Sequence, residues 1–189
     1  MAFTVPLPRT PLCRTPLERP DLARWYEDEL GWATEGGAAG SPVLLPTGRR
    51  FDVLDLPAVA GYAVLRRMGG TGPVALMGPR MRLLVAAGSA EELSGLLDWL
   101  EWGGIALDLT VLGAGGRITA PVPPGWSGSG PQGAAVWLRP PEPGREVEPS
   151  LPALPAVGGA GSGLARLVDA AATECHRARL LRTQPLAFS

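Results

Sequence analysis

Three carboxylates and three guanidiniums stand in segments of this chain that otherwise read as buried strand or tight turn. Asp52 and Asp55 interrupt Arg50-Phe51-Asp52-Val53-Leu54-Asp55-Leu56-Pro57, Asp108 sits in Leu107-Asp108-Leu109, and the bases are Arg80, Arg82 and Arg117. An ionised carboxylate in a buried strand costs several kcal/mol unless a partner compensates it, so acids at a strand end mark a candidate site. Converging carboxylates are the chemistry of divalent-cation binding, and guanidiniums beside a glycine turn are the chemistry of phosphate binding. Spacing limits which groups can cooperate. Residues i and i+2 of a strand share a face, so Arg80 and Arg82 point together, whereas Asp52, three before Asp55, faces away from it. Arg117 follows Gly113-Ala114-Gly115-Gly116, whose amides can approach an anion. The plainer reading of the three bases is a solvated strand face.

The elements that must carry these residues follow from pattern. A helix is expected over 20–30, with Leu22, Trp25, Tyr26 and Leu30 inward and Gly31 ending it. Strands are expected at 43–45 and 51–56, then a helix from Pro57, which suits a first helical position, to Arg67. Segments 73–77 and 80–85 around Gly78-Pro79 read as a hairpin. Ser89 with Glu92 forms a capping-box signature ahead of Leu93, Leu96, Leu97 and Leu100. Strands follow at 105–110, 117–120 and 134–138. Trp99 and Trp102 read as core at helical spacing, with base stacking as the alternative. The whole is an α+β protein, helices packed on a mixed or antiparallel sheet.

The domain of 20–138 is flanked by a Pro-rich arm, 1–19, in which Arg-Thr-Pro-Leu occurs twice. Residues 139–163 read as a Pro/Gly-rich linker feeding an amphipathic helix, 164–182, whose stripe of Leu164, Leu167, Val168, Ala171, Ala172 and Cys175 should dock on the domain. His176 reads as a surface histidine, and Cys13 and Cys175 as free thiols. Gly125-Trp126-Ser127-Gly128 is a loop rather than a nucleophile elbow.

All 17 basic residues are Arg, and Lys and Asn are absent, as a GC-rich bacterial coding sequence would give. A net charge of −1 lacks the basic excess of a free-standing nucleic-acid binder. The start is broken by Pro and no segment has the length of a spanning helix, so the expectation is a cytoplasmic protein with no membrane contact.

Residues 43–57, 72–85 and 107–124 together resemble the primase/polymerase (prim-pol) domain of the archaeo-eukaryotic primase superfamily. The resemblance rests on Leu107-Asp108-Leu109, the glycine turn before Arg117, and Ala120-Pro121 with Pro123-Pro124; Leu30-Gly31-Trp32 also fits. It implies a two-metal nucleotidyl transferase site with two carboxylates one residue apart, a third on a later strand, and a His between. Asp55 falls on the first position and Asp108 on the third. The second falls on Leu56 or Pro57, and the His position on Arg80-Met81-Arg82. The expectation is therefore a catalytically degenerate domain acting by binding a protein partner, nucleotide or nucleic acid. No cofactor is assigned; Mg²⁺ or Mn²⁺ enters only alongside a bound nucleotide. The alternatives are an active primase/polymerase that recruits Asp52 or Glu101, and an adaptor working through its arm and terminal helix.

Overall fold

The computed structural model describes residues 21–38, 41–126, 134–154 and 163–183. The Arg-Thr-Pro-Leu arm, Cys13 and Ser127 lie outside them. In chain order the elements are α1 (Leu22–Glu29), β1 (Glu35–Gly36), β2 (Val43–Pro46), β3 (Phe51–Pro57), α2 (Ala58–Arg67), β4 (Val74–Met77), β5 (Arg80–Ala86), α3 (Ser89–Trp99), β6 (Thr110–Leu112), β7 (Arg117–Thr119), β8 (Val136–Arg139) and α4 (Gly163–Thr183). The expected α+β class holds, and the strand pairs of both sheets are antiparallel.

β3 is the centre of the molecule. It lies second in a five-stranded sheet of order β6-β3-β5-β4-β8, and all seven of its residues are buried. Two cores meet on it because its side chains alternate. Leu54 and Leu56 face α2, α3 and α4, joined by Met81, Leu83 and Val85 of β5. Phe51 and Val53 face the other way, onto Tyr26, Trp32 and the small sheet β1-β2-β7. Tyr26 is fixed there by donating to the Pro121 carbonyl at 2.6 Å and accepting from Trp137 Nε1 at 2.9 Å. Gly61, an unfavourable residue for a helix interior, is explained by contact: a Cβ there would collide with the Met81 side chain, so glycine lets α2 lie close on β5.

Helix ends show where tertiary structure replaces local signals. Asp21 caps α1 as a capping residue should, accepting from the amide of Ala23 at 3.1 Å. Pro57 is the N-cap of α2, so the first helical residue is Ala58, one later than expected. The capping box at α3 does not form. Gly88 is the N-cap, Ser89 lies inside the helix, and the Asp52 carboxylate accepts from the Ala90 amide at 2.9 Å.

Two further expectations are corrected. Of 139–163, the described part to 154 is no linker. Val147 and Leu151 enter the second core, and Pro152 accepts from the Ala86 amide at 3.0 Å at the end of β5. The strand expected at 105–110 instead begins at Thr110 and runs to Leu112, because carbonyls before it are taken by α4: Ala106 accepts from Arg179 and Asp108 from the Cys175 thiol. The stripe on α4 docks on the domain, with Leu164, Leu167, Val168, Ala171, Ala172 and Cys175 buried. Glu174, also buried, ties α4 to α2 through Arg67 at 2.7 Å. No helix among the described residues is long and apolar enough to cross a membrane.

Candidate functional site

At the C-terminal end of β3 the register pairs Asp55 with Arg82 and Pro57 with Arg80 on β5, and Asp55 with Thr110 on β6. Asp108, two residues before Thr110, therefore arrives beside Asp55. The result is a continuous chain of opposite charges. Arg82 Nε lies 3.1 Å from Asp55 Oδ2, and Arg80 Nε lies 2.5 Å from Asp55 Oδ1. Arg80 Nη1 reaches Asp108 Oδ1 at 2.5 Å, and Arg182 Nη2 stands 3.5 Å from Asp108 Oδ2. Arg80 also donates to the Asp55 carbonyl at 3.1 Å. Its guanidinium thus sits between the two carboxylates, in the position a bridging cation would take.

The electrostatics follow from that placement. The hydrogen bond from Arg80 holds the Asp108 carboxyl below its ordinary pKa; burial opposes this, and Arg182 adds to it. For Arg80 burial works against the charge, but the hydrogen bonds to Asp108 and Asp55 prevail and raise its pKa. Burial, reinforced by the negative charge of Asp108, pushes the Cys175 thiol up to about 12. A thiol so protonated is no nucleophile at neutral pH. Three guanidiniums against two carboxylates leave the cluster with one positive charge in excess. Arg82 Nη1 is buried and has no hydrogen-bond partner among the described residues.

The residues do not fit a two-metal centre. Both carboxylates are already held by guanidiniums, which stay charged in proteins. Among the described residues no three His, Cys, Asp or Glu side chains converge to hold a metal ion. Neither recruit expected for an active enzyme supplies the missing ligand. Asp52 is 1% exposed on the helical side of the sheet, capping α3. Glu101 stands on an exposed turn after α3 at φ 65°.

Asp55, Arg80, Arg82 and Asp108 are thus brought together; Arg117 is not. It lies on β7 in the small sheet and pairs with Glu35 at 3.6 Å. Arg182 is the residue missed from sequence: a cation in the last turn of a helix suits the helix dipole, and no local pattern pairs it with Asp108. His176 is half-buried against the Trp102 ring, centroids 5.9 Å apart, rather than on the surface. Trp102 Nε1 donates to Asp169 at 3.1 Å, but Trp99 is 74% exposed, contrary to the core expectation, because of the large apolar side chains of α3 only Leu93 and Leu96 turn fully inward.

No protein-family model matches this chain, and neither the curated proteins nor the solved structures compared with it gave a match.

Proposed function

We propose that this chain is a primase/polymerase-like domain whose cation site has been taken over by arginine, and that it acts by binding rather than by nucleotidyl transfer. One observation carries the reading. Asp55, Asp108 and the Arg80-Met81-Arg82 segment, the three positions selected by the resemblance, meet at a single guanidinium. Arg80 supplies one positive charge where a metal pair would supply four, and it offers no coordination site for a triphosphate. What remains suits an anion: a cluster with net positive charge whose Arg182 guanidinium is exposed.

The working ligand class is a nucleotide, or a phosphate of a nucleic-acid strand, recognised without a divalent ion. Template-directed incorporation with Mg²⁺ or Mn²⁺ tests the first half of the proposal: no product is expected, and product abolished by Asp108→Asn would refute it. Melting with nucleoside triphosphate in the presence of a chelator tests the second. At 100 times its dissociation constant, a ligand adds about 2.7 kcal/mol; absence of any shift counts against nucleotide.

An adaptor is the second reading, and Trp99 favours it. A tryptophan so exposed, on a helix whose Glu91, Glu92 and Asp98 form no ion pair among the described residues, suits a protein contact. The stripe of α4 does not serve that reading, being spent on the core.

A further inference from the structure

At the opposite end of β3, the turn leading into the strand meets the glycine turn before β7. The two are locked together: Thr47 donates through its amide to the Gly116 carbonyl at 2.9 Å and through its hydroxyl to the Gly113 carbonyl at 2.5 Å. Gly48, at φ 84°, has no room for a Cβ, which would overlap the Ala114 backbone. Between the turns opens a cleft of about 240 Å³ lined by Glu35, Arg49, Ala114, Gly115 and Arg117 among others.

Three features of this cleft lack a use within the fold. Arg49 is exposed and has no ion pair or hydrogen bond among the described residues. The amides of Arg49, Ala114 and Gly115 have no acceptor among them either. Gly115 has φ 77° and nothing within 4 Å of where its Cβ would stand, so the crest of its turn faces open space. Consecutive free amides on a glycine turn, flanked by two guanidiniums, form a concavity for an anion. Glu35 holds Arg117 at 3.6 Å yet leaves the lining one positive charge in excess. The Glu35 carboxylate at the rim favours a compact anion that seats on the amides over a long polyanion.

We infer that this cleft binds a phosphate group, as free phosphate or as the terminal phosphate of a small phosphomonoester, held by Arg49, Arg117 and the amides of Ala114 and Gly115. The site uses none of the residues of the carboxylate–arginine cluster, so it stands or falls independently of the proposed function.

Isothermal titration of the full chain at fixed ionic strength, with inorganic phosphate and separately with glycerol 3-phosphate, tests it. One saturable site per chain is expected, weakened at least tenfold by Arg49→Gln or Arg117→Gln and unchanged by Arg24→Gln, an exposed cation on α1. Tighter binding of the ester assigns the site to a phosphomonoester; equal or weaker binding assigns it to free phosphate. The inference is overturned if no saturable binding occurs, if both glutamine variants bind as wild type, or if Arg24→Gln weakens binding equally. All three arginines are exposed, so melting curves of the variants should overlay wild type and separate lost binding from lost folding.

Discussion

The two ends of β3 make opposite use of arginine. At the C-terminal end every carboxylate has a guanidinium, and Asp55 lies in an alternating chain running from Arg82 to Arg182. At the N-terminal end Arg49 and two consecutive amides of the facing turn are left without partners among the described residues. Charge that is neutralised inside the fold contributes to holding the fold; charge left over is available to a ligand. The difference teaches that acids at a strand end are weak evidence for metal chemistry until their partners are known, whereas unspent donors are stronger evidence for binding.

Breaking the closed end should have the largest effect. Asp55→Ala leaves Arg82 without its carboxylate and Arg80 with Asp108 alone; with both guanidiniums partly buried, the loss should cost about 2–3 kcal/mol. Urea denaturation should show this as a lower midpoint with unchanged slope; a midpoint within error of wild type would mean the chain of charges holds nothing together.

Asp52 sharpens the contrast, since it is an acid of the same strand with a purely architectural task. Asp52→Ala should cost about 1–2 kcal/mol by uncapping α3, and Asp52→Asn, which keeps an acceptor for the Ala90 amide, less than half of that. Equal losses from the two substitutions would show that charge rather than capping matters there.

Acid titration gives a smaller effect with a definite sign. The pKa of Asp108 is depressed on folding, so its contribution to stability is fully present above its ordinary 3.8 and is lost as pH falls through the lower folded value. Asp108→Asn should flatten that acid limb in melting curves recorded below pH 4 and leave the curve above pH 5 with the same slope. The open end should give the least: Arg49→Gln and Arg117→Gln are expected within about 0.5 kcal/mol of wild type.

How much of this was legible in the sequence depends on whether a signal was local. The alternation around Leu54 and Leu56, the hairpin at Gly78-Pro79 and the apolar stripe from Leu164 to Cys175 are periodic, and each appears as an element. Ser89 and Glu92 spell a capping box, yet the cap comes from Asp52, distant in sequence; no local pattern encodes that. Ile105 to Leu109 alternates like a strand, but Arg179 and Cys175 claim its carbonyls from α4. Residues 139–154 are rich in Pro and still fold in, because Val147 and Leu151 find apolar room that composition does not register. Asp55 and Asp108 were legible as candidates, and Arg80 and Arg82 as bases on one face. That all four share one set of ion pairs required the β3–β5 and β3–β6 registers.

The most direct test is whether a divalent cation can enter between Asp55 and Asp108. Electron paramagnetic resonance of Mn²⁺ titrated into the wild-type chain and into Asp108→Asn reads this without reference to activity. With Arg80 in that position, the free-ion signal should be the same for both chains across the titration. Saturable uptake of Mn²⁺ by the wild type, lost in Asp108→Asn, would contradict the claim that arginine has replaced the metal.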